Sequence, residues 1–176
     1  VECGPEEAQL FVESGLATWF ERPLTRAGLL GDKQAQMNAH LQGRMLSIRA
    51  GPVLELLVSV LLACAPFAPP GELGEDEAAG SEQRLPRLSN DDLSLLFAPG
   101  DLLVRSIRRD VNTKAMMRLF EHLAKGSLPR SVAWLRFLVR GLSETLTGDC
   151  VPPFMRCMEA IFTVADGQEE ARGELA

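Results

Sequence analysis

Apolar residues recur along this chain every three or four positions, the period of a helix buried on one side. Leu10, Phe11 and Leu16, followed by Trp19 and Phe20, outline a first short helix over residues 6–18. Pro5 stands where a first helical turn tolerates it, and Pro23 is expected to interrupt the chain. Gly28 and Gly31 punctuate the stretch after it. Asp32 can cap a second helix that runs to about Ala50 on a face of Met37, Leu41, Met45 and Ile48. Gly51-Pro52 should end that helix and start a third over residues 53–65. The third is apolar nearly all round apart from Glu55, which assigns it to the interior.

Residues 66–89 change character. The segment PFAPPGELGEDEAAGSEQRLPRLS holds four prolines, three glycines and five acids, with no base before Arg84. Such a stretch cannot build a packed core and predicts a flexible loop. The helical period then returns. Asn90 or Asp91 can cap a short turn through Phe97, and Asp101 can cap residues 102–109. Asn112 can cap a helix with Met116, Leu119, Phe120 and Leu123 on one stripe, with Gly126 past its end and Pro129 opening the next. That next helix carries Val132, Leu135, Leu138, Val139, Leu142 and Leu146 at the spacing of a buried face, and Gly148 closes it. Trp134 lies beside this stripe and is expected to pack in the core. Pro152 and Pro153 open a helix striped by Phe154, Met158, Ile161 and Phe162. Gly167 is expected to end it, with residues 168–176 starting another.

No stretch alternates apolar and polar residues with β-branched enrichment, so the predicted class is all-α. Helices joined by short Pro/Gly turns suggest stacked antiparallel neighbours, an ARM/HEAT-like helical-repeat array or a fragment of one. Residues 1–65 form its N-terminal helices and residues 66–89 the acidic loop. Residues 90–176 form the C-terminal repeat part of the same domain.

Composition narrows the function. With 176 residues and 46% apolar content the chain can bury a core. Its first residue is Val1 and no cationic-then-apolar leader opens it, which reads as a segment of a larger intracellular protein, cytoplasmic or nuclear. The apolar run 53–68 is too short and too interrupted for a membrane span. A net charge of −6 disfavours nucleic acid and anionic lipid. Cys3, Cys64, Cys150 and Cys157 form no CxxC pair, and His40 and His122 are the only histidines. Metal ligation therefore lacks its spacing and no cofactor is called for. A thiol nucleophile needs a base, and only folding could bring His122 to Cys150 or Cys157; reduced structural thiols are the simpler reading. The paired acids Asp91-Asp92 and the run Glu75-Asp76-Glu77 suit capping and solubility rather than acid–base work. No catalytic role is expected.

One charge feature stands out. Residues 84–140 hold eleven bases against five acids. Arg105, Arg108 and Arg109 share a helical face, with Lys114 and Arg118 following. The functional reading is a docking patch for an acidic protein partner; the plain one is a solvated face.

The series RLFEHLAKGSLPRSVAWLRFLVRGLSET, then VPPFMRCMEAIFTVADGQEEARGEL, resembles the helical region that follows the catalytic domain in the very large ubiquitin-specific proteases of the fat-facets class. The matching positions are Leu119, His122, Leu123, Gly126, Leu135, Leu138, Phe154, Ile161, Asp166, Gln168 and Arg172, mostly packing residues within residues 112–176. The chain has no Cys box or His box of such a protease, so the resemblance implies a scaffold flanking a deubiquitinase core. The expected function is a non-catalytic helical scaffold for protein–protein interaction. The alternative is a compact helical bundle that binds a partner helix in a groove, as death regulators do.

Overall fold

The computed structural model describes residues 2–30, 44–72, 85–97, 102–144 and 151–174. Asp32, Met37, His40, Leu41, Asp101, Leu146, Gly148 and Cys150 lie outside the described residues. The fold is all-α; no strand occurs among the described residues. Eight helices are described: α1 (Pro5–Ser14), α2 (Leu16–Arg26), α3 (Arg44–Leu62), α4 (Asn90–Phe97), α5 (Leu102–Arg108), α6 (Thr113–Ala124), α7 (Leu128–Ser143) and α8 (Val151–Glu174).

The expected first helix is two. Gly15 takes φ 82°, a left-handed value open to glycine, and the chain turns there between α1 and α2. Pro23, by contrast, does not interrupt α2, which runs on to Arg26. Nor does Gly51-Pro52 end a helix: α3 passes straight through it. An interior proline costs ~3 kcal/mol. Leu54, Leu57, Val58, Val60 and Leu61 are all fully buried on α3, and that burial outweighs the cost. Gly167 likewise stands inside α8, which continues to Glu174 as one helix.

The caps are specific. α2 ends in a Schellman motif: the N–H of Leu29 donates to the carbonyl of Leu24, and that of Gly28, at φ 72°, to Thr25. α4 is capped by Ser89 rather than by Asn90 or Asp91. The Ser89 hydroxyl accepts from the Asp92 N–H at 3.2 Å, and the Asp92 carboxylate accepts from the Ser89 N–H at 3.1 Å. Asn112 caps α6 as expected, its side chain accepting from the Ala115 N–H. Ser127 caps α7 in the same way toward Arg130, and Pro129 sits in its first turn.

One hydrophobic cluster runs through all of these helices, from Ala8 of α1 to Ile161 of α8. Helix α3 packs against both α2 and α6, which joins the two halves of the chain. Trp134 is buried at its centre as expected, ringed by Phe67, Phe97, Phe120 and Phe137. Its indole N–H donates to the Phe67 carbonyl at 2.9 Å. The segment expected to be a loop is thus held at both described ends. Phe67 anchors one end, and the Ala65 N–H donates to the Pro86 carbonyl across the other.

Helices α6, α7 and α8 form the C-terminal layer, with α8 packed on both of the others. The carbonyl of Ala124, at the end of α6, accepts from Ser131 near the start of α7 and from Gln168 far along α8. Gly141 near the end of α7 meets Phe154 near the start of α8. These contacts fix α7 and α8 as antiparallel neighbours.

Candidate partner-binding surfaces

The basic residues singled out by the sequence divide into two kinds. Arg105 donates to the Leu29 carbonyl at 3.1 Å, and Arg109 to the Gly28 carbonyl at 2.7 Å. Both guanidiniums therefore satisfy carbonyls just past the end of α2, the negative pole of that helix. Burial, and then the neighbouring charge of Arg108, hold the Arg109 pKa below its usual value. Arg118 pairs with Glu55, which also accepts from Asn112 at 2.6 Å. Burial works against the Glu55 carboxylate, but these hydrogen bonds and the Arg118 charge outweigh it and hold its pKa below the usual range. Arg105, Arg109 and Arg118 are thus engaged by other parts of the fold, Arg118 while still exposed to solvent. Arg108 and Lys114 are exposed as well.

The thiols are structural in character. Cys64 and Cys157 are fully buried, and burial pushes both pKa values up to about 12. The sulfurs therefore stay protonated at neutral pH, the unreactive form. Cys3 is half-buried, its pKa raised by burial and by Glu7. His122 sets its Nε2 3.0 Å from the backbone carbonyl of Cys64, where the ring N–H donates. The imidazole meets that residue's backbone rather than its sulfur.

Helix α7 carries more apolar residues than one face can hold, and it buries a different set from the one its spacing suggests. Ala133, Trp134, Phe137, Leu138 and Gly141 go inside. Val132 and Val139 are exposed, and Leu128, Leu135 and Leu142 are half-buried. The physical reason is size: Trp134 and Phe137 remove more apolar surface from water than two valines do. Leu135 and Leu142 still pack against the edge of the core, and the five together follow a spacing of four, three, four and three. At 3.6 residues per turn they fall within about 80° of one another. That is the pattern of a helix–helix seam.

Helix α8 repeats the arrangement. Phe154, Cys157, Met158 and Ile161 are buried, while Val151, Met155 and Phe162 are exposed and fall within about 40° on its wheel. The exposures of Val139, Met155 and Phe162 are 56%, 53% and 53%. The sequence spacing puts Phe162 on the buried stripe; the structure puts it one step outside. On each helix the open stripe lies on the same rotational side of the residue that meets the neighbour, Gly141 on α7 and Phe154 on α8. In an antiparallel pair that places both stripes on one side of the hairpin. The two helices thus carry exposed apolar stripes on the same side of the pair. The surplus of apolar positions on α7 was the available signal for this.

Compared with protein-family models, with curated proteins and with solved structures, the chain matches none.

Proposed function

We propose that this protein is a non-catalytic helical scaffold that holds a protein partner, and that the α7–α8 face is where the partner sits. The single observation carrying this reading is that face: two adjacent antiparallel helices on which Val132, Val139, Val151, Met155 and Phe162 stand exposed. Monomeric surfaces scatter exposed apolar residues singly, whereas contiguous ones mark contact sites. The occupant the spacing fits is an amphipathic helix laid along these stripes with its own apolar stripe inward. Burying what is still exposed of Val139, Met155 and Phe162 recovers about half of the ~1.5–3 kcal/mol that full burial of each gives. That suits regulated rather than permanent association.

The likeness of residues 112–176 to the helical region of very large ubiquitin-specific proteases supports an accessory region of such an enzyme as the setting. The helical-repeat reading and a cytoplasmic or nuclear location belong to the same proposal. Among the described residues no helix is long and apolar enough to cross a membrane. The alternative, a compact bundle binding one partner helix in a groove, draws on the same surface and differs in being a complete unit. A protease domain encoded in the same reading frame separates the two settings.

The binding test uses a photo-reactive phenylalanine analogue placed in turn at Val139, Met155 and Phe162, with Thr25, exposed on α2, as the control. Covalent capture of the same partner helix from all three positions, and not from Thr25, is the expected result. Capture no greater than at Thr25 defeats the proposal.

A further inference from the structure

A second surface lies on α2. Trp19, Arg22, Pro23 and Arg26 follow one another at i, i+3, i+4 and i+7, so they share one side of the helix. The adjoining side, with Leu16, Phe20 and Leu24, is buried in the core. Trp19 is 52% exposed, and Phe11 of α1 meets it edge-on at 5.4 Å between ring centroids, which holds the indole in place. Below it Arg22, Pro23, Arg26, Ala27 and Val53 line a cleft of about 320 Å³.

Three features of this surface point to a ligand. The first is charge: Arg22 and Arg26 are exposed, and neither meets an acid among the described residues. Arg105, Arg109, Arg118, Arg130, Arg136 and Arg140 all bond to carbonyls or carboxylates of the fold. The second is backbone chemistry. Pro23 has no N–H, so the Trp19 carbonyl lacks its ordinary helical donor. The third is composition, because exposed Trp and Arg beside an apolar hollow are the residues that dominate protein contacts.

We infer that the Trp19–Arg22–Arg26 face of α2 binds an acidic peptide segment of a partner protein, with carboxylates on the two guanidiniums and one apolar side chain in the cleft beside Val53. Arginine suits this task because its planar fork takes a carboxylate through two parallel hydrogen bonds. Charge complementarity selects a peptide over a nucleic acid. A long phosphodiester is held by many cationic contacts and finds two here, whereas a short acidic stretch needs only a local pair. The surface is separate from the α7–α8 face, so either proposal can fail alone.

The protein carries its own reporter. The Trp19 indole lies in the site and the Trp134 indole is sealed in the core, so two indole N–H signals in an ¹⁵N-resolved NMR spectrum serve as probe and control. A short acetylated peptide of glutamates around a central leucine is titrated into the whole chain, alongside its glutamine counterpart. A poly-dT oligonucleotide forms the third arm. The glutamate peptide is expected to move the Trp19 signal and leave Trp134 still. The glutamine peptide should bind at least about tenfold more weakly, in line with the loss of charge-assisted bonds. Arg22→Glu with Arg26→Glu should abolish the shift while the melting temperature stays that of the parent. A Trp19 signal unmoved at millimolar glutamate peptide overturns the inference. So does equal binding of the two peptides, or binding of poly-dT in preference to the glutamate peptide.

Discussion

Asp92 and Arg130 are the two charged side chains buried among the described residues, and each stands at a helix end of opposite sign. Asp92 accepts from the Leu16 N–H at 2.8 Å, at the first turn of α2, from 76 residues away in the chain. Arg130 donates to the carbonyls of Leu123 and Lys125 at the last turn of α6. Arg105 and Arg109 do the same past the end of α2. Burying a charge is costly unless hydrogen bonds replace water, and helix ends supply those bonds together with a favourable dipole. Asp92→Ala removes the acceptor from Leu16 and half of the Ser89 capping box at once. It should cost ~2–4 kcal/mol, whereas Asp91→Ala, exposed one position earlier, should cost no more than ~0.5 kcal/mol. Urea unfolding at neutral pH measures both. Equal midpoints for the two variants would show that the buried carboxylate holds nothing.

At the scale of the element, glycine and proline decide how much of the fold the sequence discloses. Gly15 and Gly126 mark real boundaries because the chain there adopts positive φ. Pro23 and Pro52 mark none, because tertiary burial overrides a local preference worth ~1–3 kcal/mol; Gly167 marks none either, although it is exposed. The cap at Asn112 follows a local rule and was legible; Ser127 follows the same rule, though only Pro129 marked that helix start in the sequence. The link from Asp92 to Leu16 is long-range and had no local signature. The candidate surfaces divide the same way: the charge excess of residues 84–140 could be counted, but which arginines would bond to backbone carbonyls depended on where α5 came to rest. Two glycines test the local argument with a single substitution. Gly167 lies exposed in α8 with open space where a Cβ would project, so Gly167→Ala should add ~0.5–1 kcal/mol through helix propensity. Gly141 lies buried in α7, where a Cβ would meet Val104 at 3.0 Å and Phe154 at 3.2 Å. Gly141→Ala should therefore destabilise by ~1–3 kcal/mol, despite the same gain in propensity. Thermal melts followed by circular dichroism should move in opposite directions, and a rise for both would mean that α5, α7 and α8 are packed less tightly than these distances imply.

The whole molecule is tied across its length rather than assembled from independent halves. Asp92 reaches Leu16, Arg105 and Arg109 reach the end of α2, and Glu55 of α3 receives Asn112 and Arg118. Trp134 holds the Phe67 carbonyl, and the apolar cluster is continuous from α1 to α8. Helical-repeat arrays in which each unit touches only its neighbours can unfold in stages, because their stability is a sum of local terms. Here long-range ties join the first helices to α4, α5 and α6, so loss of one half strips the buried face of the other. A single cooperative transition follows. With Trp19→Phe, fluorescence reports on Trp134 alone, within the α4–α6–α7 aromatic cluster, while far-ultraviolet circular dichroism reports on every helix. The two denaturation curves should share one midpoint and one slope. A circular dichroism transition that runs ahead of Trp134 would mean that α1 and α2 melt separately, and the α2 surface would then be a loose appendage instead of a fixed docking face.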